Sequence, residues 1–363
     1  MKFYMPVKVY DESECVRSHA KDFAAFGKKA LIVTGRSSSF ANGSFDDVTS
    51  ALKQNNIEFA VFSGVEENPS TDTVFAAADR FFEEQIDFVI GIGGGSAMDA
   101  AKAIALVLKH PEADLDYLYD ASKDPDALPV VCVPTTCGTG SEVTGVSVLT
   151  RHDKKTKISM VHKVFPVLSL IDGKYLASAH LQLIANSSVD ALAHLYESML
   201  SAKADDYVKM AATAGLKAWA RTKDVLTGEK PMDENDRALL MRSSALAGMS
   251  IAQSGTSLPH ALSYTLTYDL HLVHGKAVGY FLPGFLAAAP EKSRNELLGL
   301  SGFTGPEDFQ TFLVRALGSI KITSDELEKA FQNVLSNPAK MNSAAFPVDA
   351  EALRNVVFFS DKS

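Results

Sequence analysis

Four short runs in the first 135 residues constrain the fold of this chain more than any other feature: ALIVT (Ala30–Thr34), IEFAVF (Ile57–Phe62), FVIGI (Phe88–Ile92) and PVVCV (Pro129–Val133). Their apolar residues stand mostly on successive positions, not alternate ones. Side chains of a strand point to opposite faces in turn, so strands of this kind must be covered on both sides. Helical patterns fill the gaps. One begins in Asp46–Leu52, one follows Ser70 over Thr71–Phe82, and one runs over Ala97–Leu108. Strand and helix in alternation predict βαβ units and a parallel sheet with helices on both faces. Three further short strands are expected between Val143 and Ile171, interrupted by the polar turn Arg151–Lys157.

After Asp172 the texture changes. β-Branched runs vanish and Ala/Leu-rich helical periodicity takes over at Leu181–Ser201, Tyr207–Ala220, Asn235–Ile251 and Ser324–Val334. Pro231, Pro283, Pro290 and Pro306 are expected to punctuate these helices. The predicted architecture is an α/β domain with a parallel sheet over residues 1–172, then an all-α domain over 173–363. A chain of 363 residues suits two domains.

The segment Gly91-Ile92-Gly93-Gly94-Gly95-Ser96-Ala97-Met98-Asp99 sits where the third run turns into a helix. Glycine lets a backbone approach a ligand closely, and a helix N-terminus offers unpaired N–H groups to a pyrophosphate. The spacing is not G-x-G-x-x-G, and a tight turn without a ligand is the alternative. A second cluster, PTTCGTGSEVT (Pro134–Thr144), interleaves small hydroxyl residues with glycine after the fourth run. Such residues suit phosphate or ribose, and they also suit helix capping. The loop after the first run is Gly35-Arg36-Ser37-Ser38-Ser39, with no acid before Asp46. At this point of a dinucleotide site an acid takes the ribose hydroxyls, whereas an Arg accommodates a 2′-phosphate. The loop therefore favours NADP over NAD, with a plain solvated loop as the alternative. On this reading the first domain binds a dinucleotide.

Asp190 and His194 are four apart, a spacing that stacks both side chains on one face of a helix. A carboxylate and an imidazole so held make half of a divalent-metal site; they also make an ordinary surface pair. About seventy residues later a helical-looking segment carries His260, and the turn beyond it carries His274 followed by Gly275. The candidate ligands are then four.

The net charge of −9 argues against nucleic acid as a partner. Cys15, Cys132 and Cys137 are odd in number and widely spaced, which fits a reducing compartment better than a disulfide framework. The sequence Met-Lys-Phe-Tyr-Met-Pro lacks the apolar core of a signal peptide, and no apolar run reaches membrane-spanning length. A cytoplasmic protein without a membrane partner is expected.

Together, GIGGGSAMDAAK, PTTCGTGSEVT, SSVDALAHLYES and His260 followed by HGKA at 274–277 make the chain similar to the iron-containing (group III) alcohol dehydrogenases over nearly its whole length. The resemblance implies a dehydroquinate-synthase-like fold: a nucleotide-binding α/β domain, a helical metal-binding domain, and a cleft holding cofactor and metal. It implies hydride transfer between NADP(H), or NAD, and a small primary alcohol or aldehyde, in a homo-oligomer, a dimer. It implies Fe(II); by ligand type alone Zn suits equally well. Position by position, Asp190, His194, His260 and His274 match the metal ligands. The pattern selects the His before Gly, hence His274 and not His271. Gly93, Gly94, Gly95, Ser96 and Asp99 match the pyrophosphate loop, and Asn68, Thr135, Thr136, Thr139, Thr144 and Lys157 match cofactor contacts. Gly35, Arg36, Ser37, Ser38 and Ser39 look like the NADP-using members, which lack an NAD-selecting Asp there.

The chain also departs from the pattern. Many members carry a proton-relaying His four residues after the third ligand, where this sequence has Tyr264. Either Tyr264 donates the proton, or a water and ribose hydroxyl relay does, or His271 substitutes; Tyr264 as a wall residue is the remaining option. Gln253 stands where an Asn is usual. The other histidines, His19, His110, His152, His162 and His180, are expected at the surface. Three rivals stay open. One is a glycerol- or polyol-type dehydrogenase on the same scaffold. Another is a dehydroquinate synthase, which needs several basic residues around its substrate; the stretch between His260 and His274 offers none. The third is a non-catalytic NADP-binding protein. Leu258, Leu262 and Leu266 near the ligands point to a small apolar substrate.

Overall fold

The computed structural model describes residues 3–359. Strands β1 (Lys8–Asp11), β2 (Lys29–Thr34), β3 (Glu58–Phe62), β4 (Phe88–Gly93) and β5 (Val130–Pro134) are followed by β6 (Val148–Arg151), β7 (Thr156–Ser159) and β8 (Leu168–Ile171). All but β6 and β7 form one parallel sheet in the order β1-β8-β5-β4-β2-β3; β6 and β7 pair as an antiparallel hairpin. We number helices of eight or more residues. In the first part of the chain these are α1 (Ser44–Gln54), α2 (Thr71–Phe81) and α3 (Gly95–Lys109).

The successive apolar positions of the strands serve two cores. Leu31, Val33, Val89, Val130 and Cys132 pack with residues of α2 and α3 on one face. Ala30, Ile32, Phe88, Ile90, Ile92, Val131 and Val133 pack with Val48, Ala51 and Leu52 of α1 on the other. Strand β1 was not anticipated from sequence. Its residues Lys-Val-Tyr-Asp carry no apolar run; it lies at the edge of the sheet, bonded to β8 and partly exposed. The chain goes from β2 outward to β3 and then crosses back to β4, so the direction of winding reverses between β2 and β4. The C-terminal ends of strands at such a reversal are where open α/β sheets bind ligands. Gly35–Ser39 follows β2 and the glycine run follows β4 at that point.

The rest of the described chain is helical: α4 (Leu181–Met199), α5 (Asp206–Ala220), α6 (Glu234–Ser254), α7 (Leu258–Asp269), α8 (His274–Ala288), α9 (Glu291–Leu300), α10 (Pro306–Leu317), α11 (Ser324–Leu335) and α12 (Ala350–Val357). Helix α4 is buried along nearly its whole length from Ile184 to Ser198 and packs against α5, α6, α7, α8 and α10. Pro283, expected as a break, lies inside α8. Phe281, Leu282 and Phe285 around it are fully buried, and the helix continues through it, a case of packing overriding propensity.

Backbone contacts divide the chain into two compact units. One comprises Met5–Thr136 and Gly140–Ser178; the other holds Tyr4, Cys137–Thr139 and the chain from Ala179 onward. The division after Ser178 falls six residues past the Asp172 boundary read from sequence, beyond the short turn Gly173–Leu176 that packs Tyr175 into the sheet core. No helix among the described residues is long and apolar enough to cross a membrane.

Candidate metal centre and cofactor loops

Asp190 and His194 lie one turn apart on α4, both buried. His260 is on the first turn of α7, and His274 is the first residue of α8, a helix where the sequence suggested a turn. Asp190, His260 and His274 each offer one ligand atom, and these atoms all lie within 4.8 Å of one another. Asp190 Oδ1 is 3.1 Å from His260 Nε2 and 3.6 Å from His274 Nε2. His194 Nε2 stands slightly further off, 4.0 Å from the same oxygen. Its ring stacks on that of His260, with centroids 4.3 Å apart and planes at 16°.

The second nitrogen of each of two rings settles its orientation. His194 Nδ1 faces the carbonyl oxygen of Gly138 at 3.3 Å. A carbonyl only accepts, so Nδ1 carries the hydrogen and Nε2 is left bare in the neutral ring. His260 Nδ1 faces the Glu197 carboxylate at 2.7 Å and is a donor for the same reason. Burial would raise the Asp190 carboxyl, but His194, His274 and His260 outweigh it and hold the group well below the usual carboxylate range. Burial pushes His194 down to about 4 against the pull of Asp190. Burial acts the same way on His260, where Glu197 and Asp190 outweigh it and raise the ring to about 9. One carboxylate and three imidazoles, of which Asp190, His194 and His260 are buried, His274 is half-buried, and His194 and His260 are held by outer partners, are a donor set that fits a divalent ion with an open position.

Glycine is required at 275. A Cβ there would lie 1.8 Å from the carbonyl oxygen of Asn186, so α8 rests directly on the backbone of α4 one turn before Asp190. That approach is what brings His274 to Asp190.

In the sheet unit, Gly93 has a φ of +149° and Gly94 lies so close to Thr136 that a Cβ would be 3.0 Å from its Oγ1. A Cβ at Gly93 would likewise lie 2.8 Å from the Ala97 Cβ, so a side chain at either position would crowd the start of α3, where the unpaired N–H groups of a helix lie. Asn68 donates its N–H to Ser96 Oγ at 3.2 Å, and its Oδ1 accepts from Lys157 Nζ at 2.7 Å. These residues, from the loop after β3, the first turn of α3 and strand β7, gather at the glycine run. Thr135 donates its N–H to the Gly93 carbonyl at 2.9 Å. Other predicted contacts are turned inward. Both Asp99 oxygens are engaged, Oδ1 by Ser141 Oγ at 2.5 Å and Oδ2 by the Val148 N–H at 2.8 Å, and burial pushes this carboxyl up against the pull of Lys102. Thr144 is buried, and its Oγ1 accepts from Lys102 Nζ at 3.4 Å. Ser39 is fully buried, with its Oγ accepting from Thr34 at 2.7 Å. Asp99, Thr144 and Ser39 brace the loops. Thr139 belongs with the helical unit, next to the Gly138 that holds His194. Gly35 is half-buried, and Arg36, Ser37 and Ser38 are exposed at the start of a short helix, Ser38–Ala41.

A family model described as "Iron-containing alcohol dehydrogenase" matches residues 6–173, and one described as "Fe-containing alcohol dehydrogenase family, C-terminal" matches residues 184–336. The chain belongs to the iron-containing alcohol dehydrogenase family. It is 33% identical over 284 residues to a 1,3-propanediol dehydrogenase of Klebsiella pneumoniae, covering 75% of this chain and 72% of that one. It is 28% identical over 288 residues to NADH-dependent butanol dehydrogenase A of Clostridium acetobutylicum, covering 78% and 74%. An NADPH-dependent butanol dehydrogenase of Clostridium saccharobutylicum is 29% identical over 265 residues, covering 71% and 66%. The crystal structure of an iron-containing alcohol dehydrogenase from Thermotoga maritima superposes with a TM-score of 0.91 at 35% identity, covering 100% of this chain and 99% of that one. The protein is thus an NAD(P)-dependent oxidoreductase of alcohols and aldehydes.

Within the family framework, Tyr264 is half-buried and its ring lies 6.2 Å from that of His274, nearly parallel at 21°. His271 is exposed, in a left-handed conformation with φ +52°. Gln253 ties down the chain start, donating to the Tyr4 carbonyl at 2.8 Å and accepting from its N–H at 3.1 Å. Two histidines expected at the surface are buried: His110 Nε2 bonds the Asp126 carbonyl and His162 Nε2 the Tyr117 carbonyl, both at 2.8 Å. With a backbone acceptor each, they cost little to bury. Sequence reasoning passed over Glu197 and Lys102. Glu197 had a signal, standing seven residues after Asp190 on the same helix face.

Proposed function

We propose that the protein is an NADPH-preferring dehydrogenase of small, neutral primary alcohols and aldehydes. The observation that carries this is the convergence of Asp190, His260 and His274 within 4.8 Å, on a chain whose β2 loop offers Arg36 and serines in place of an acid. Asp190, His194, His260 and His274 would hold the metal. When bound, the ion supplies Lewis acidity at the substrate oxygen and the nicotinamide supplies the hydride chemistry. The rest falls to the chain. The N-terminus of α3 receives a pyrophosphate, with Ser96, Asn68 and Lys157 around it. Arg36 pairs with a 2′-phosphate. The stretch from His260 to His274 contains no Lys or Arg, which disfavours an anionic substrate.

For the proton, the ring of Tyr264 lies against a metal ligand, whereas His271 is exposed in a loop. Tyr264 is the donor on this reading. Tyr264→Phe is expected to lower kcat by roughly 10²-fold and to remove one limb of the pH–rate profile; a profile unchanged from wild type eliminates it.

The cofactor and substrate classes are tested together by following NADPH or NADH absorbance with short aldehydes and, in reverse, 1,3-propanediol. The expectation is a clear kcat/KM preference for NADPH, reduced about 10–100-fold in Arg36→Ala through loss of a charge-assisted contact of roughly 1.5–3 kcal/mol. Equal use of NADH by the wild type refutes the preference. No turnover with any member of the panel, in protein loaded with iron or zinc, refutes the substrate class.

A further inference from the structure

Glu197 is fully buried on α4, three residues past His194 and seven past Asp190. Its carboxylate reaches across to the start of α7. Oε1 accepts from the backbone N–H of His260 at 3.1 Å and faces His260 Nδ1 at 2.7 Å; Oε2 accepts from the Ser257 N–H. The first N–H groups of a helix have no partner within it and are usually capped by the side chain just before it. Helix α7 lacks that cap: the Ser257 hydroxyl makes no capping bond and instead meets Ser343 Oγ at 2.7 Å. The cap comes from Glu197 on another helix. The same carboxylate oxygen fixes the imidazole, because it can only accept; Nδ1 must donate, and Nε2 is turned to Asp190 at 3.1 Å.

We infer that Glu197 is a positioning residue of the metal centre, capping α7 and holding His260 with its hydrogen on Nδ1 so that the Nε2 lone pair is free for the ion. The inference rests on reading Asp190, His194, His260 and His274 as metal ligands. A second brace supports the same turn: Lys340 Nζ donates to the Thr256 carbonyl at 3.0 Å and to Thr256 Oγ1 at 3.3 Å. Lys340 and Ser343 both lie past residue 336, where the match to the family's C-terminal model ends.

The test compares wild type and Glu197→Gln, both stripped of metal and titrated with Co(II), with the melting temperature recorded alongside. Glutamine keeps the size but loses the charge and one acceptor: with its NH₂ group on the His260 side both the cap and the partner of Nδ1 are lost, and with it on the other side the Ser257 N–H loses its acceptor. Expected is a Co(II) affinity about 10–100-fold weaker in a folded Glu197→Gln protein. In zinc-loaded wild type with nitrogen-15-labelled histidine, NMR is expected to show the His260 hydrogen on Nδ1. Wild-type Co(II) affinity in folded Glu197→Gln, or a hydrogen-free His260 Nδ1 in the wild type, overturns the inference and leaves the metal centre standing. Failure of the wild type to bind any divalent ion overturns both. If Glu197→Gln does not fold, the wild-type NMR measurement decides.

Discussion

Asp190→Asn is expected to lose its divalent ion and its activity while keeping its fold. The substitution changes almost no volume, and only charge and one acceptor atom are lost. That atom carries the site: Asp190 Oδ1 lies 3.1, 3.6 and 4.0 Å from the Nε2 atoms of His260, His274 and His194. An amide in its place is neutral and offers an ion either a weaker oxygen ligand or an NH₂ group that cannot bind it. Removing one member of a buried charged set costs about 3–5 kcal/mol. Spent on metal affinity, that is roughly 10²–10⁴-fold, enough to empty the site in dialysis. Metal content after dialysis and kcat with cofactor and a short aldehyde are the measurements. Stoichiometric metal and wild-type kcat in Asp190→Asn would exclude Asp190 as a ligand.

The sheet was legible because its strands are apolar on successive positions, a pattern that burial on both faces imposes. Strand β1 was not, because its residues Lys-Val-Tyr-Asp form no apolar run; β3, the other edge strand, was legible because it carries Phe59–Phe62. The candidate ligands were legible where helical spacing carried them, as at Asp190 and His194. His260 and His274 came through the family pattern, since a contact across seventy or more residues leaves no local trace. That also explains Glu197: its place on the α4 face was visible, but its partners Ser257 and His260 lie sixty residues away. Lys102 shows another limit. A lysine on an alanine-rich helix reads as exposed, yet it is fully buried, donating to Ser141, Thr144 and Val146. Buried cations are rare, and only the acceptors around one reveal it.

The cofactor loops show the same division between contact and support. The sequence marked hydroxyls, carboxylates and glycines near strand ends without distinguishing those that face a ligand from those that hold the loop. Asp99 binds the glycine-run helix to the Ser141–Val148 segment, and Ser147 Oγ donates to the Asp99 carbonyl at 2.8 Å. Ser96, Asn68 and Lys157 form a bonded group at the start of that helix. Both kinds of residue are needed, because a pyrophosphate bound by backbone N–H groups requires a backbone that does not move.

Gly275→Ala is expected to destabilise the helical unit and disable the metal centre in one step. The added Cβ would sit 1.8 Å from the Asn186 oxygen and 2.6 Å from its carbonyl carbon. Both surfaces are backbone, so no rotamer change relieves the overlap, and α8 must retreat from α4 by more than about 1 Å to reach ordinary contact. Overpacking a side chain costs about 1–3 kcal/mol, and a clash between helix backbones belongs at or above the top of that range. The melting temperature should fall by roughly 6 °C or more. His274 moves with α8, which widens its separation from Asp190 beyond the present 3.6 Å and opens the trio of ligand atoms. Metal retention should therefore fall further than in a variant that is merely less stable. Gly299→Ala supplies the control: it lies in α9, a Cβ there meets nothing within 4 Å, and the change should stabilise the protein by about 0.5–1 kcal/mol with metal binding intact. A Gly275→Ala protein with wild-type melting and metal content would show that α8 is free to shift, and that the contact with Asn186 does not set the position of His274.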